Sequence, residues 1–306
     1  MDNSVTHPIK KPPRLLPGGT FGVVAPAGCV DPVILQKGVT RLEQRGFNVI
    51  LGKNIEKQLR YLAGADRERA EDFQAMFLNK EIDAILCARG GAGAARIIPY
   101  LNRGLMSGSH KIFVGASDIT TLLLYLARPF GWVTFHGPMV ATQFGKEPSP
   151  ALEAHFFKVL SGERIEMKFP GVQTLQPGKT DGVLTGGCLT LLCTTIGTFF
   201  EIETDDKILF IEEVNEAPYR IDRMLTYLKL IGKFDRVRGV IFGQMPGCRP
   251  EDLPEIILDI LGEFRFPLLF GFPSGHGEGT ATLPFGIPMQ LDATTGTLRM
   301  LEPAVL

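Results

Sequence analysis

The sequence predicts an α/β protein whose first half forms a parallel sheet flanked by helices. Short apolar runs alternate there with amphipathic stretches of helical period, the pattern of strands joined by crossover helices. The 35 glycines and 22 prolines are spread over many turns, as expected where strands and helices meet at tight corners. The length of 306 residues indicates two domains, and 44% hydrophobic with 21% charged residues is typical of globular proteins.

The first half contains four predicted strands and the helices between them. We expect strands at residues 21–25, 47–51, 84–88 and 111–115, a helix that ends near residue 45, and helices at 67–78 and 119–127. In open α/β sheets the ligand site lies outside the carboxyl ends of the strands. The loops after Ala25, Ala88 and Gly115 are therefore expected to face one another.

The second half indicates a second, smaller, mixed α/β domain. We expect strands at 208–211 and 237–242, helices at 219–231 and 253–264, and short turn-bounded strands after them. Four prolines around a short helical piece mark the connection between the domains. The predicted division is an N-terminal extension at 1–17, a flavodoxin-like or glutamine-amidotransferase-like domain at 18–145, a linker at 146–178 and the second domain at 179–306.

The charge balance argues against polyanionic partners. With 32 Lys plus Arg against 33 Asp plus Glu, the chain offers no electrostatic footprint for nucleic acid or an acidic membrane. The uncharged stretch 182–200 approaches membrane-spanning length, but its five Thr and four Gly make a poor hydrocarbon-phase helix. We expect it to form a buried helix of a soluble core.

Cysteine and histidine usage predicts a cytoplasmic protein without a metal or other cofactor. The five cysteines are an odd number and include no C-x-x-C pair, which favours reduced thiols over disulfides or a zinc site. No H-x-x-x-H or H-E-x-x-H spacing occurs, which disfavours metal catalysis. The first 19 residues contain no apolar h-region, so no secretory signal is expected.

Ser117 is the first candidate for chemistry. It follows a predicted strand and precedes a predicted helix, so its hydroxyl is expected at a sharp corner beside the amides of the helix N-terminus. That is the geometry of a nucleophile elbow, although the second glycine of G-x-S-x-G is missing. The alternative is that Ser117 is only a helix N-cap.

A glycine-rich turn, Arg89-Gly90-Gly91-Ala92-Gly93, follows another predicted strand. Such a turn presents backbone amides to an anion or lets a ligand approach closely. It matches neither G-x-G-x-x-G nor the P-loop pattern, so it gives only weak support for nucleotide binding. A plain tight turn explains it equally well.

Glu212, Glu213 and His276 are the candidates in the second half. A carboxylate at the end of a strand is able to orient an imidazole and stabilise its protonated form, or it is only a solvated strand end. His276 lies between glycines, which favours a loop, where catalytic groups concentrate. His136 is the rival base, although a histidine beside an apolar strand is usually structural.

Taken together, these signals match a known family. The matching text runs from about residue 17 onward and comprises Val24-Ala25-Pro26-Ala27, Arg60-Tyr61-Leu62-Ala63-Gly64, Ala88-Arg89-Gly90-Gly91, Gly115-Ala116-Ser117-Asp118, Phe135-His136-Gly137-Pro138, Leu184-Thr185-Gly186-Gly187, Phe210-Ile211-Glu212-Glu213 and Pro273-Ser274-Gly275-His276-Gly277. With these ordered blocks the sequence resembles the LD-carboxypeptidases, the serine peptidases that include muramoyl-tetrapeptide carboxypeptidase and the microcin C immunity proteins.

The resemblance assigns roles to the candidate residues. It implies that Ser117 in the first domain is the nucleophile, and that Glu212 and His276 in the second domain are the carboxylate and the base. It also implies an oxyanion hole formed by the backbone N–H groups of Gly91 and Asp118, with Gly91 chosen over Gly90.

Three residues depart from the family pattern. Ala92 stands where tyrosine is common, Cys188 where asparagine is frequent, and Asn215 where glycine is common. None of them removes a member of the triad. Ala92 and Cys188 bear on the shape of the substrate pocket.

The implied activity is hydrolysis of the amide between an L-configured diamino acid centre and the terminal D-alanine of murein tetrapeptides, in peptidoglycan recycling. The resemblance also implies a homodimer. One alternative is a hydrolase of microcin C-type peptidyl or acyl adenylates. Another is a non-catalytic protein that binds a sugar or peptide in the cleft between its domains.

Overall fold

Two β-sheets organise the chain in this computed structural model, which describes residues 8–146, 148–277 and 279–306. The first sheet has six strands in the order β12-β5-β4-β3-β1-β2, and all its pairs are parallel except β12 with β5. Its strands are β1 (Thr20–Val24), β2 (Asn48–Leu51), β3 (Ala84–Cys87), β4 (Ile112–Gly115), β5 (Thr134–His136) and β12 (Leu283–Phe285). The predicted parallel sheet is confirmed.

Helices follow the strands of the first sheet. They are α1 (Pro32–Gln44), α2 (Asp66–Leu78), α3 (Arg103–Met106), α4 (Thr120–Phe130) and α5 (Pro150–Ser161), with short 3-10 turns at Ala94–Tyr100, Ser117–Ile119 and Phe144–Lys146. Asp31 begins α1 by accepting hydrogen bonds from the first backbone amides, and Gly131 ends α4 at φ 70°. Nearly all of α4 is buried, which fits its strongly apolar sequence.

The second sheet has eight strands in the order β6-β14-β13-β8-β9-β10-β11-β7. Its centre, from β8 to β11, is parallel, and antiparallel strands complete both edges. Its strands are β6 (Glu166–Lys168), β7 (Gln173–Gln176), β8 (Lys179–Cys188), β9 (Lys207–Glu212), β10 (Gly239–Gln244), β11 (Leu268–Gly275), β13 (Pro288–Asp292) and β14 (Thr297–Met300), and its helices are α6 (Leu189–Thr194), α7 (Pro218–Leu230) and α8 (Leu253–Leu261).

The uncharged stretch 182–200 is not a buried helix, so that prediction is wrong. Strand β8 continues to Cys188, and only the short helix α6 follows. Gly186 has a φ of 146°, and a Cβ on it would lie 1.9 Å from the carbonyl oxygen of Phe210. Residues 182–188 of the run belong to β8, which pairs with β13 and β9, and Leu184 and residues 186–188 are buried there, which explains the absence of charge in this part. Within the described residues, no helix is long and apolar enough to cross a membrane.

The segment predicted as a linker adds two strands to the second sheet and packs a helix on the first. Strands β6 and β7 lie at opposite edges of the second sheet, whereas Phe156 of α5 stacks on Phe21 of the first. The buried apolar face of α5 explains this packing. Conversely, β12 follows strands of the second sheet along the chain but pairs with β5 of the first sheet. The division at 18–145 and 179–306 stays a prediction, and residues 1–7 of the predicted extension lie outside the described part.

Candidate active site

Three loops meet at the carboxyl ends of β1, β3 and β4, as predicted. The amide of Gly28, after β1, donates a hydrogen bond to the carbonyl oxygen of Gly90, after β3, over 3.1 Å. A Cβ on Gly90 would lie 2.6 Å from the Cβ of Ser117, after β4. The glycines therefore allow three backbones to approach around the serine.

Ser117 adopts the left-handed backbone conformation. Its φ is 63°, an uncommon value for a residue other than glycine, and it lies between the buried Ala116 and Asp118 while remaining partly exposed. The N-cap of the turn that it opens is Ala116, so capping does not explain this serine. Backbone strain of this kind concentrates at functional sites, and the geometry is that of a nucleophile elbow.

The close contact between Gly90 and Ser117 predicts that a larger residue at position 90 lowers activity. A methyl group in the Gly90→Ala variant would lie 2.9 Å from Ser117 Oγ, so the serine must move. Because small displacements of reacting groups are costly, we expect kcat/KM to fall about 100-fold, measured in a steady-state peptidase assay. The control is Gly108→Ala, since nothing lies within 4 Å of that position. If Gly90→Ala kept wild-type activity, the result would contradict a catalytic role for Ser117.

A buried charge network holds these loops in place. Asp118 Oδ2 accepts a hydrogen bond of 2.7 Å from the amide of Ala94, and burial raises the pKa of this carboxyl. Arg69 donates to the carbonyl oxygens of Gly93 and Pro26 and pairs with Asp66. The elbow and the glycine turn are thus linked through side chains as well as through the backbone.

Sequence reasoning did not give Arg69 this role. The available signal was its position on α2, where Arg69, Phe73 and Phe77 share the buried face at intervals of four residues. A charged residue on a buried helix face needs partners. Nothing in the local sequence pattern indicates that these partners are the loop carbonyls at the site.

Glu212 and His276 form the centre of the site on the second sheet. His276 Nδ1 lies 2.5 Å from Glu212 Oε2, and Glu212 is fully buried at the end of β9. His276 follows β11, two strands away across β10. Gly243 of β10 lets the neighbouring strands come together, since a Cβ there would lie 2.5 Å from the carbonyl oxygen of Ser274.

The charges of this pair depend on each other. Burial lowers the pKa of His276, but the hydrogen bond and the negative charge of Glu212 outweigh it, so the net shift is upward from 6.5. Burial raises the pKa of Glu212, and the contact with His276 opposes that rise. The imidazole therefore donates Nδ1–H to the carboxylate, which fixes the ring and its tautomer.

His136, the rival base, has a different environment. It is fully buried between Phe210 and Phe285, at ring-centroid distances of 5.1 and 5.9 Å. Burial lowers the pKa of His136 to about 3. Its two ring nitrogens have no hydrogen-bond partner among the described residues, whereas His276 is bonded to a carboxylate. The geometry therefore favours His276 as the base.

Glu213 is also buried but has another role. Its carboxylate accepts hydrogen bonds from the amide and hydroxyl of Thr190, at 2.8 and 2.7 Å, and from the amide of Val214. Cys188 Sγ lies 3.5 Å from it. Glu213 thus holds the start of α6, and the alternative that these two carboxylates are a solvated strand end is wrong.

The serine and the Glu212–His276 pair come from different sheets, which meet where α4 begins. Thr120, three residues after Ser117, accepts a hydrogen bond of 3.1 Å from the amide of Cys188. Cys188 in turn is the pairing partner of Glu212. A Cβ on Gly187 would lie 2.3 Å from Thr120 Cγ2, so glycine is required for this contact. The contact places the start of α4 beside the strand that pairs with Glu212.

The remaining assignments stay predictions. Gly91, with a φ of 117°, packs on Gly28 and is exposed, and Asp118 is the first residue after the serine. These positions fit a pair of amides that face the attacked carbonyl. Of the departures from the family pattern, Ala92 and Asn215 are exposed, whereas Cys188 is buried beside Glu213.

Comparison with known proteins supports the resemblance. Residues 21–137 match the family model described as the LD-carboxypeptidase N-terminal domain, and residues 181–291 match the LD-carboxypeptidase C-terminal domain. The chain belongs to the LD-carboxypeptidase family. The two matched regions correspond to the sheet that carries Ser117 and to the sheet that carries Glu212 and His276.

Relatives and solved structures agree over almost the whole chain. The probable murein peptide carboxypeptidase of Bacillus subtilis is 38% identical over 296 residues, covering 94% of this chain and 93% of the relative. The murein tetrapeptide carboxypeptidase of Pseudomonas aeruginosa is 30% identical over 282 residues, with coverage of 88% and 91%. The wild-type apo structure of the microcin C7 self-immunity protein MccF superposes with a TM-score of 0.91 at 25% identity, covering 97% of this chain and all of the other.

Proposed function

We propose that this LD-carboxypeptidase family member is a serine-type enzyme that removes the terminal D-alanine of murein tetrapeptides by cleaving its amide with an L-configured diamino acid centre. The observation that carries the proposal is the buried carboxylate–imidazole pair of Glu212 and His276, on the sheet whose β8 contacts the elbow helix of Ser117. The relatives named as murein peptide carboxypeptidases support the substrate class.

The proposed mechanism uses this chain's own groups. As Ser117 Oγ attacks the carbonyl carbon, His276 Nε2 takes the hydroxyl proton, while Glu212 accepts the Nδ1–H bond and stabilises the imidazolium. The backbone N–H groups of Gly91 and Asp118 stabilise the oxyanion. His276 then gives the proton to the leaving amine of D-alanine. Water, deprotonated by the same imidazole, opens the acyl-enzyme and frees Ser117.

A second candidate is hydrolysis of peptidyl or acyl adenylates. It is favoured by the superposition with MccF, which has been solved with adenosine monophosphate and with aspartyl sulfamoyl adenosine. The same triad serves both reactions, because each breaks an acyl bond through a tetrahedral intermediate. The two differ in what leaves: a free D-amino acid or a nucleotide.

The deciding experiment is mass spectrometry of the products from free and UDP-linked murein tetrapeptides and from a peptidyl adenylate. We expect tripeptide and D-alanine, with the Ser117→Ala protein as the inactive control. Nucleotide release without D-alanine release would favour adenylate hydrolysis over removal of D-alanine as the function. If neither occurs, the non-catalytic alternative is tested with a fluorophosphonate probe, whose reaction with Ser117 must disappear in His276→Ala if the triad exists.

The pH profile tests the Glu212–His276 pair. The base is active only when neutral, so kcat/KM is expected to rise with pH through the pKa of His276. Because Glu212 raises that pKa, the midpoint is expected above 6.5. In Glu212→Gln the negative charge is gone and burial remains, so the midpoint is expected to move to lower pH. An identical midpoint in both proteins would show that Glu212 does not influence the base.

The cytoplasmic location and the homodimer implied by the resemblance belong to the same proposal. Size-exclusion chromatography with light scattering measures the oligomeric state directly. Peptidoglycan recycling is the expected role, since an enzyme in the cytoplasm meets muropeptides after their import.

A further inference from the structure

Arg89 is an exposed cation directly beside the candidate site. It stands between β3 and Gly90, and Gly90 packs on Ser117. Its Nη1 donates a hydrogen bond of 3.2 Å to the carbonyl oxygen of Cys29. Its Nη2 lies 3.9 Å from the position that a Cβ would take on Gly91. The guanidinium therefore lies along the two glycine loops that surround the serine.

The charge of Arg89 has no carboxylate partner within residues 8–146, 148–277 and 279–306. Two other arginines of the same region each have a carboxylate partner, since Arg69 and Arg96 both pair with Asp66. A guanidinium has five N–H donors, and the bond to Cys29 uses one of them. The others are free to bind an anion from solution or from a substrate.

The proposed substrate places an anion close to the scissile bond. In a C-terminal residue, three covalent bonds separate the attacked carbonyl carbon from the carboxylate carbon, a distance of less than about 4 Å. A group that recognises the terminal carboxylate must therefore stand beside the oxyanion site. Arg89 meets this condition, since it precedes Gly90 and lies over Gly91.

We propose that Arg89 binds the terminal carboxylate of the substrate and so restricts the enzyme to the last residue of a peptide. This inference rests on the proposed function. Arginine suits the task because its planar fork matches a carboxylate with two parallel hydrogen bonds. The hydrogen bond to Cys29 orients the fork, and the close packing of Gly91 on Gly28 holds the two loops that the guanidinium spans.

The test compares a murein tetrapeptide that ends in a free carboxylate with the same peptide that ends in a carboxamide. Wild-type enzyme is expected to prefer the acid strongly. In Arg89→Gln, kcat/KM for the acid is expected to fall about 100-fold, while the value for the amide stays unchanged. Arg89→Lys keeps the charge without the fork and is expected to recover part of the preference.

A matched control is Arg236→Gln. Arg236 is an exposed arginine paired with Asp205 and Asp206, before the amino ends of β9 and β10 and thus away from the site. We expect it to behave as wild type on both peptides.

Two results overturn the inference, and they are distinguishable from failure of the proposed function. Equal losses on acid and amide in both Arg89 variants would assign Arg89 a structural role. A wild-type enzyme that cleaves both peptides equally well would show that the carboxylate is not recognised. If the wild type releases D-alanine or its amide from neither peptide, the proposed function fails and the inference fails with it.

Discussion

Replacing Ser117 by alanine is expected to abolish peptide hydrolysis, with a loss in kcat of about 10⁴-fold or more. The residual rate would come from binding and from the oxyanion donors, which the substitution leaves in place. The fold should persist, because Ser117 is only partly buried and alanine differs from serine by one oxygen. The measurement is D-alanine release, with circular dichroism and thermal unfolding as checks on the structure.

The matched control for Ser117→Ala is Ser161→Ala. Ser161 Oγ donates a hydrogen bond to the carbonyl oxygen of Lys158 at the end of α5, on the exposed surface. We expect this variant to retain full activity. Full activity in Ser117→Ala would instead refute the triad assignment.

The second large effect is expected at Glu212. In Glu212→Gln, the amide cannot stabilise the imidazolium and can favour the wrong tautomer of His276, so we expect kcat to fall about 10⁴-fold. Stability should change little, since a neutral amide is easier to bury than a carboxylate and Glu212 Oε1 has no hydrogen-bond partner in the described structure. The measurements are kcat and the free energy of unfolding from urea titration.

Glu213→Gln provides the matched comparison one residue away. Its carboxylate accepts hydrogen bonds from the amides of Thr190 and Val214, and an amide side chain would place an NH₂ group against one of these donors. We expect a loss of about 1 to 3 kcal/mol in the free energy of unfolding, with kcat largely kept. If the two variants exchanged these effects, Glu213 would be the catalytic carboxylate.

The sequence predicted β1 to β4 of the first sheet well because these strands are short apolar runs separated by helices of clear period, but it did not predict β5 or the pairing of β12 with it. It failed in the second part of β8, where residues 182–188 carry no charge and show no alternation of apolar and polar side chains, and so look like a buried helix. The sequence also did not indicate that the segment 146–178, predicted as a linker, supplies edge strands to the second sheet. Pairing of β6 and β7 at opposite sheet edges depends on contacts with residues more than 90 positions away.

The candidate site shows the same limit. Ser117, Glu212 and His276 stand out through the family resemblance, but only the structure shows that Glu212 and His276 are in contact across β10. The sequence likewise did not predict the hydrogen bond from the Ala94 amide to Asp118 or the position of Arg89 beside the glycine loops. Such contacts are set by which loops the topology brings together, and a single sequence does not contain that information in its local pattern.

The return of β12 to the first sheet has a consequence for the order of folding. Strand β11 leads directly to His276, and β12, only eight residues after Gly275, covers the edge of β5. Both strands follow β1 to β10 in the chain, so a ribosome-bound chain that ends before β11 has an open sheet edge and no proposed base. Hydrolytic activity and protection of that edge against intermolecular pairing are therefore expected to arise in the same late step of co-translational folding.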